Sequence, residues 1–188
     1  MKILVYGSTT FGSVVRLLVE DCGHEFAGFI DDVNPAASDV IGAFDVAKES
    51  YPPSRFGCVN AVGYNDLAAR QRVTDRIGHA GYTMPSLVHP RAIVGRDARI
   101  HAGCVVMAGA VIDYRVELGA CVVVWPGVVV AHDTVIGANT FLSPNCTICG
   151  CCVIGDDCFV GAGAVVVDHA TVPKRTRIKA AERFVTPR

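Results

Sequence analysis

From Val88 onward the chain places an aliphatic residue at every sixth position, through Val94, Ile100, Val106, Ile112 and Leu118 and on to Val172 and Ile178, before closing on Phe184 without an insertion. Two positions before this residue stands a small or β-branched one, such as Ala98, Cys104, Ala110, Thr134, Thr140, Cys146, Cys152 or Cys158. Glycine follows the aliphatic position at Gly95, Gly119, Gly137, Gly155 and Gly161. This six-residue period is that of a hexapeptide β-helix, one short strand and one turn per repeat. A single repeat cannot bury its own apolar side chain, so coils must stack and feed aliphatic columns into a continuous interior.

Residues 1–87 lack this rhythm and alternate strand-like with helix-like segments. KILVYG reads as a short buried strand, TTFGSVVRLLVEDCG as an amphipathic helix stopped near Gly23, HEFAGFIDD as a second strand and GCVNAVG as a third. NDLAARQRVTDRIGHAG follows as a helix with Asn65 or Asp66 as its cap, then YTMPSLVHP as an extended segment. NPAASDVIG and ESYPPSRFG read as loops, being rich in turn formers. The order implies a small parallel βαβ sheet over 1–87, with the boundary near SLVHP and the β-helix over 88–188.

Composition narrows the function. A 51% hydrophobic content over 188 residues supplies ample core, and 17 basic against 18 acidic residues, without like-charge blocks, argue against a nucleic-acid partner. The start, MKILVYGSTTFG, is too short in apolar residues for a signal-peptide core or a spanning helix, so a cytoplasmic protein without membrane insertion is expected. Nine cysteines, an odd count without an export signal, read as reduced thiols. Four of them occupy the small-residue slot, where cysteine serves as a compact hydrophobe. Cys146, Cys149, Cys151 and Cys152 in CTICGCC look like metal ligands, but Cys146 and Cys152 share one column while Cys149 and Cys151 fall at different points around the turn, so the four thiolates need not converge. No second histidine stands near His132, so a three-histidine metal hydratase is set aside and no metal is expected.

Three stretches can carry chemistry. The first βα turn, Gly7-Ser8-Thr9-Thr10-Phe11-Gly12, opens a helix whose N-terminal amides suit an anion, and Asp31-Asp32 ends the next strand, about where a ribose-binding acid stands in dinucleotide folds. The middle glycine of that fingerprint is absent, and a turn that merely packs helix on strand explains the glycines as well. Asn65 follows the third strand at the ligand edge of such sheets and reads as a helix cap or a ligand contact; Arg70 and Arg72 fit a diphosphate or a solvated helix face. His132 and Asp133 sit between interior aliphatics; an imidazole held by a neighbouring carboxylate can act as a general base, and the same pair can be two solvated turn residues.

The βαβ half followed by hexapeptides containing AHDTVIGANTF resembles the PglD/NeuD-like bacterial nucleotide-sugar acyltransferases, which combine a Rossmann-like domain with a left-handed parallel β-helix. The most specific match is His132-Asp133-Thr134-Val135-Ile136-Gly137. The resemblance implies transfer of acetyl from acetyl-CoA to the amine of a nucleotide-linked sugar of the 4-amino-4,6-dideoxy-hexose type, for surface glycans. His132 would be the base, oriented by Asp133; the Gly150 amide would bind the acetyl oxygen, and backbone near Ala162 and Ala180 would take the pantetheine arm. Gly7, Ser8, Thr9, Phe11, Gly12, Asp31, Asp32 and Asn65 would hold the nucleotide sugar, and the family implies a homotrimer. The chain departs from the pattern in having Thr10-Phe11-Gly12 where members have Gly-His-Gly, Trp125 where an asparagine is usual, IKAAERFVTPR for a Gly-x-Pro-Ala-Lys ending, and a shorter β-helix. Sugar O-acetylation and a non-catalytic trimeric nucleotide-sugar-binding module are the alternatives.

Overall fold

The computed structural model describes residues 1–37 and 39–186. Ser38, in the expected NPAASDVIG loop, and the final two residues of the expected 88–188 segment lie outside the described residues. The chain divides into two compact units, Met1–Leu87 and Val88–Arg188.

The first unit runs β1 (Lys2–Tyr6), α1 (Thr10–Asp21), β2 (Glu25–Ile30), α2 (Phe44–Ser50), β3 (Phe56–Asn60) and α3 (Leu67–His79). Its three strands are parallel in the order β2-β1-β3, with Leu4 opposite Gly28 on one side and Cys58 on the other. Ile3, Leu4 and Val5 are wholly buried, as a central parallel strand covered on both faces requires. One face of α1 buries Val15, Leu18 and Val19, and α3 buries Leu67, Thr74, Ile77 and also Arg70. Of the two expected caps it is Asp66 that closes α3, its Oδ1 accepting from the Ala69 amide at 2.8 Å. The sequence pattern omits α2, whose last turn takes the first two residues of the expected ESYPPSRFG loop. Only Phe44 and Ala47 anchor it, and two apolar positions make no readable period.

The second unit is a β-solenoid of 17 two-residue strands, β4 (Leu87–Val88) to β20 (Arg183–Phe184). They form three parallel sheets of six, six and five strands, each strand pairing with the one 18 residues later, as Val129 with Thr147 and Val130 with Ile148. Every sixth residue from Val106 to Ile178 is at most 1% exposed, so three hexapeptides make one coil and the aliphatic columns make one core. Val94, at the open first coil, departs from the column and is 40% exposed. Trp125 packs partly buried on the same core, its ring 6.1 Å from that of Phe141.

All nine cysteines are free thiols. Those of the small-residue slot are buried and also do more than fill space. The sulfur of Cys104 donates to the Gly119 carbonyl at 3.1 Å, that of Cys152 to Val167 at 3.1 Å and that of Cys158 to Pro173 at 3.2 Å. Thr134 and Thr140 make the equivalent bonds to Cys149 and Gly155 at 3.0 and 3.1 Å. At these five positions the slot residue is small and also supplies a donor to a carbonyl fifteen residues on, whereas Ala98 and Ala110 in the same slot only fill space.

Candidate active site

The solenoid turns its corners by a left-handed residue. Arg115, Asp133, Cys151 and His169 have φ of 53, 58, 56 and 59° and occupy the second position of one corner on successive coils. Among the described residues, no β-branched residue occupies the equivalent position at a corner with positive φ, because branching at Cβ clashes there. The amides of the last three bond one coil back, Asp133 to Tyr114 at 3.0 Å, Cys151 to His132 at 2.9 Å and His169 to Gly150 at 3.0 Å. Residues 18 apart are thereby stacked at strand spacing, about 4.8 Å. The Gly150 amide, at the first position of its corner, takes no part in this backbone ladder.

That stack assembles a polar site from residues distant in sequence. His132 Nδ1 lies 3.0 Å from Asp133 Oδ2, while Arg115 holds the other oxygen, Oδ1, at 2.5 Å. The hydrogen bond from His132, with Arg115 assisting, outweighs the opposing effect of desolvation and holds the Asp133 carboxyl below the ordinary carboxylate range. An ionised Asp133 accepts from Nδ1–H and leaves Nε2 as the basic nitrogen. The ring reaches over Gly150: a Cβ there would fall 2.8 Å from Nε2 and 3.2 Å from Asp168 Oδ1. Beneath the pair, Thr134 is fully buried and ties its turn to the next coil, accepting from the Cys152 amide at 3.2 Å. Ala162 and Ala180 are exposed on successive coils at another corner, where the Ala181 amide bonds the Ala162 carbonyl at 2.8 Å.

In the first unit, Gly7, Thr9, Asp31 and Asp32 line a cleft of about 420 Å³ together with Val33, Asn34 and the turn after β3. Gly7 has φ of 111° and Gly12 is packed so closely that a Cβ would fall 2.0 Å from the Gly7 carbonyl oxygen. Gly12 therefore serves the close approach of helix to turn, the packing reading of those glycines. Ser8 donates through both its amide and its hydroxyl to Asp31 Oδ2, and the Val33 and Asn34 amides reach Oδ1, each at 2.9 Å. Burial opposes ionisation of Asp31, but these four donors outweigh it and hold the carboxyl below its ordinary range. They use its acceptor sites to shape the loop, so a ligand there meets the loop backbone more than the carboxylate. Asp32 accepts from the Phe44 amide at 2.8 Å, from the Tyr6 hydroxyl and from Arg76, which also reaches Asp45 at 2.6 Å. Burial and the Asp32 charge push the Tyr6 hydroxyl well up, so it stays a donor. Phe11 is part-exposed, and Asn65 is exposed and does not line the cleft.

Sequence reasoning missed several of these partners. Arg115, Cys151 and Asp168 were legible only as multiples of 18 around the dyad. Asn60 carried no motif, yet its buried amide bonds the Arg70 carbonyl at 2.7 Å and Thr74 at 2.9 Å while its Oδ1 accepts from Val62 at 2.9 Å, fixing the turn at the cleft wall. Arg70 lies buried on α3 rather than on a solvated face, whereas Arg72 is exposed and pairs with Asp66.

Comparison with known proteins agrees with this architecture. Residues 2–77 match the PglD N-terminal domain and residues 133–168 the bacterial transferase hexapeptide of six repeats. No curated protein sequence is significantly similar. Among solved structures, the acetyltransferase domain of PglB from Neisseria gonorrhoeae FA1090 is 28% identical, with a TM-score of 0.89 over 98% of this chain and 91% of that one. PerB from Caulobacter crescentus, solved with CoA and GDP-perosamine, is 25% identical with a TM-score of 0.77 over 96% and 95%. WeeI from Acinetobacter baumannii AYE shares the fold at 20% identity, with a TM-score of 0.77 over 98% and 97%. No helix of the described residues is long and apolar enough to cross a membrane. The chain joins a PglD-like N-terminal domain to a hexapeptide-repeat domain of the bacterial transferase type and resembles the acetyltransferase domain of PglB and PerB.

Proposed function

We propose that this protein transfers acetyl from acetyl-CoA to the amino group of a nucleotide-linked sugar, of the 4-amino-4,6-dideoxy-hexose type, as a cytoplasmic homotrimer. The observation that carries the reading is the His132–Asp133 pair, with its basic Nε2 turned over Gly150. Residues 1–87 would bind the nucleotide sugar through the Gly7–Gly12 turn and the Asp31–Asn34 loop, and residues 88–188 would bind acetyl-CoA along backbone near Ala162 and Ala180.

In this mechanism the acceptor amine attacks the thioester carbonyl carbon while His132 Nε2 takes its proton. The negative charge that develops on the carbonyl oxygen is met by the Gly150 amide, which the coil ladder leaves unused. Collapse of the tetrahedral intermediate breaks the carbon–sulfur bond. The imidazolium, stabilised by the ionised Asp133, returns the proton to the CoA thiolate. Transfer is direct, without an acyl-enzyme.

The test is mass spectrometry of UDP-, dTDP- and GDP-linked amino sugars incubated with acetyl-CoA, in wild type beside His132→Ala. An acetylated product in wild type, lost in the variant, supports the reading. Nucleotide-sugar binding without product or acetyl-CoA binding would establish a non-catalytic module instead.

A further inference from the structure

The corner that carries the dyad also brings a thiol to it. Asp133 and Cys151 occupy the same left-handed position on adjacent coils, and the Cys151 amide is bonded to the His132 carbonyl at 2.9 Å. One donor atom from each of His132, Asp133 and Cys151 lies within 4.8 Å of the other two, and all three side chains are part- or fully exposed. The expectation that the four CTICGCC thiolates need not converge concerned that segment alone. Across coils, one of those thiols meets an imidazole and a carboxylate.

We propose that His132, Asp133 and Cys151 form a reversible site for a thiophilic divalent cation of the zinc class, and that filling it withdraws His132 from proton transfer. Tetrahedral zinc takes nitrogen, oxygen and sulfur at roughly 2.0 to 2.3 Å, which sets ligand atoms about 3.3 to 3.8 Å apart, so an inward shift on the order of 1 Å closes the set. Imidazole with thiolate selects zinc-class ions over magnesium and calcium, which prefer all-oxygen shells. The carboxylate and thiolate cancel the two charges of the cation, so Arg115 faces a neutral cluster. Arg115 binds Oδ1 of Asp133, the kind of outer contact that orients a ligating carboxylate, and on metal binding Oδ2 exchanges its hydrogen bond with His132 for the cation. Three protein ligands leave a fourth position for water. The site rests on donor geometry alone and stands whether or not the chain transfers acetyl groups, whereas the withdrawal of His132 rests on the proposed function.

The test is calorimetric titration of the full chain with Zn²⁺ in metal-free buffer, with Co²⁺ titrated in parallel to follow its thiolate charge-transfer band. Wild type should bind one ion per chain and show the band. Cys151→Ser should lose the band and bind about 100-fold more weakly or worse, since even outer-shell losses cost 10- to 100-fold. Asp133→Asn should weaken binding while keeping the band, and Cys149→Ser should match wild type in both readouts. Thermal unfolding confirms that each variant is folded; should Cys151→Ser not fold, the Asp133→Asn and Cys149→Ser pair decides. No stoichiometric binding by wild type overturns the proposal, as does undiminished binding by folded Cys151→Ser and Asp133→Asn.

Discussion

The imidazole of His132 occupies the space that a side chain at residue 150 would need, since a Cβ built on Gly150 falls 2.8 Å from both Cε1 and Nε2 of the ring. Gly150 does not have a positive φ, so alanine is conformationally acceptable there. The His132 side chain is 53% exposed and can swing aside. Gly150→Ala should therefore unfold at nearly the wild-type temperature but lose about 100-fold in kcat, because displacing a reacting group by an ångström costs that much. Normal kcat in a folded Gly150→Ala would remove the ring's position over Gly150 from the mechanism.

The two members of the dyad should fail to different degrees. His132→Ala deletes the proposed base and should lower kcat by about 10²- to 10⁴-fold, the usual worth of general acid–base catalysis. Asp133→Asn keeps the shape but removes the charge that in the proposed mechanism stabilises the imidazolium, so kcat should fall by less, with the KM for acetyl-CoA unchanged. Steady-state kinetics of both variants check this.

Thiol reactivity should follow the coil geometry. Cys22, Cys149 and Cys151 are part-exposed, whereas Cys58, Cys104, Cys121, Cys146, Cys152 and Cys158 are buried. Burial also pushes the Cys146 thiol up to about 12 and the Cys58 thiol higher still, which suppresses the reactive thiolate. Alkylation of the native protein followed by peptide mass spectrometry should mark the first three and spare the other six.

The Asp31 loop should make the first unit sensitive to acid. Its folded carboxyl is held below the unfolded value of about 3.9, so its stabilisation is complete above that pH and is lost as pH falls through the folded value. Denaturation midpoints should drop on acidification below about pH 4 in wild type, and Asp31→Asn should start lower at neutral pH and show a shallower drop.

Within the solenoid, Ile148 is wholly buried between the Val130 and Val166 coils. Ile148→Ala should cost about 2 to 5 kcal/mol, because stacked columns cannot collapse around the cavity without shifting two sheets at once. Chemical denaturation followed by far-UV circular dichroism measures it.

The chain's pattern alone determined the solenoid, its period and its columns, because each repeat spends the same six positions on the same local geometry and the aliphatic residue has nowhere else to be buried. It also determined the parallel βαβ order of the first unit, whose strands are short apolar runs between clear turn signals. The pairing of His132 with Asp133 was legible because the two are neighbours. Tertiary structure decided what surrounds that pair. Arg115 and Cys151 reach it, and Asp168 comes beside Gly150, only because an 18-residue coil stacks them, and that stacking depends on four successive left-handed corners that no local signal spells out. It likewise decided that Asp31 is spent on its own loop and that Asp66 caps α3, since hydrogen bonds go to whichever donors the folded backbone brings within reach.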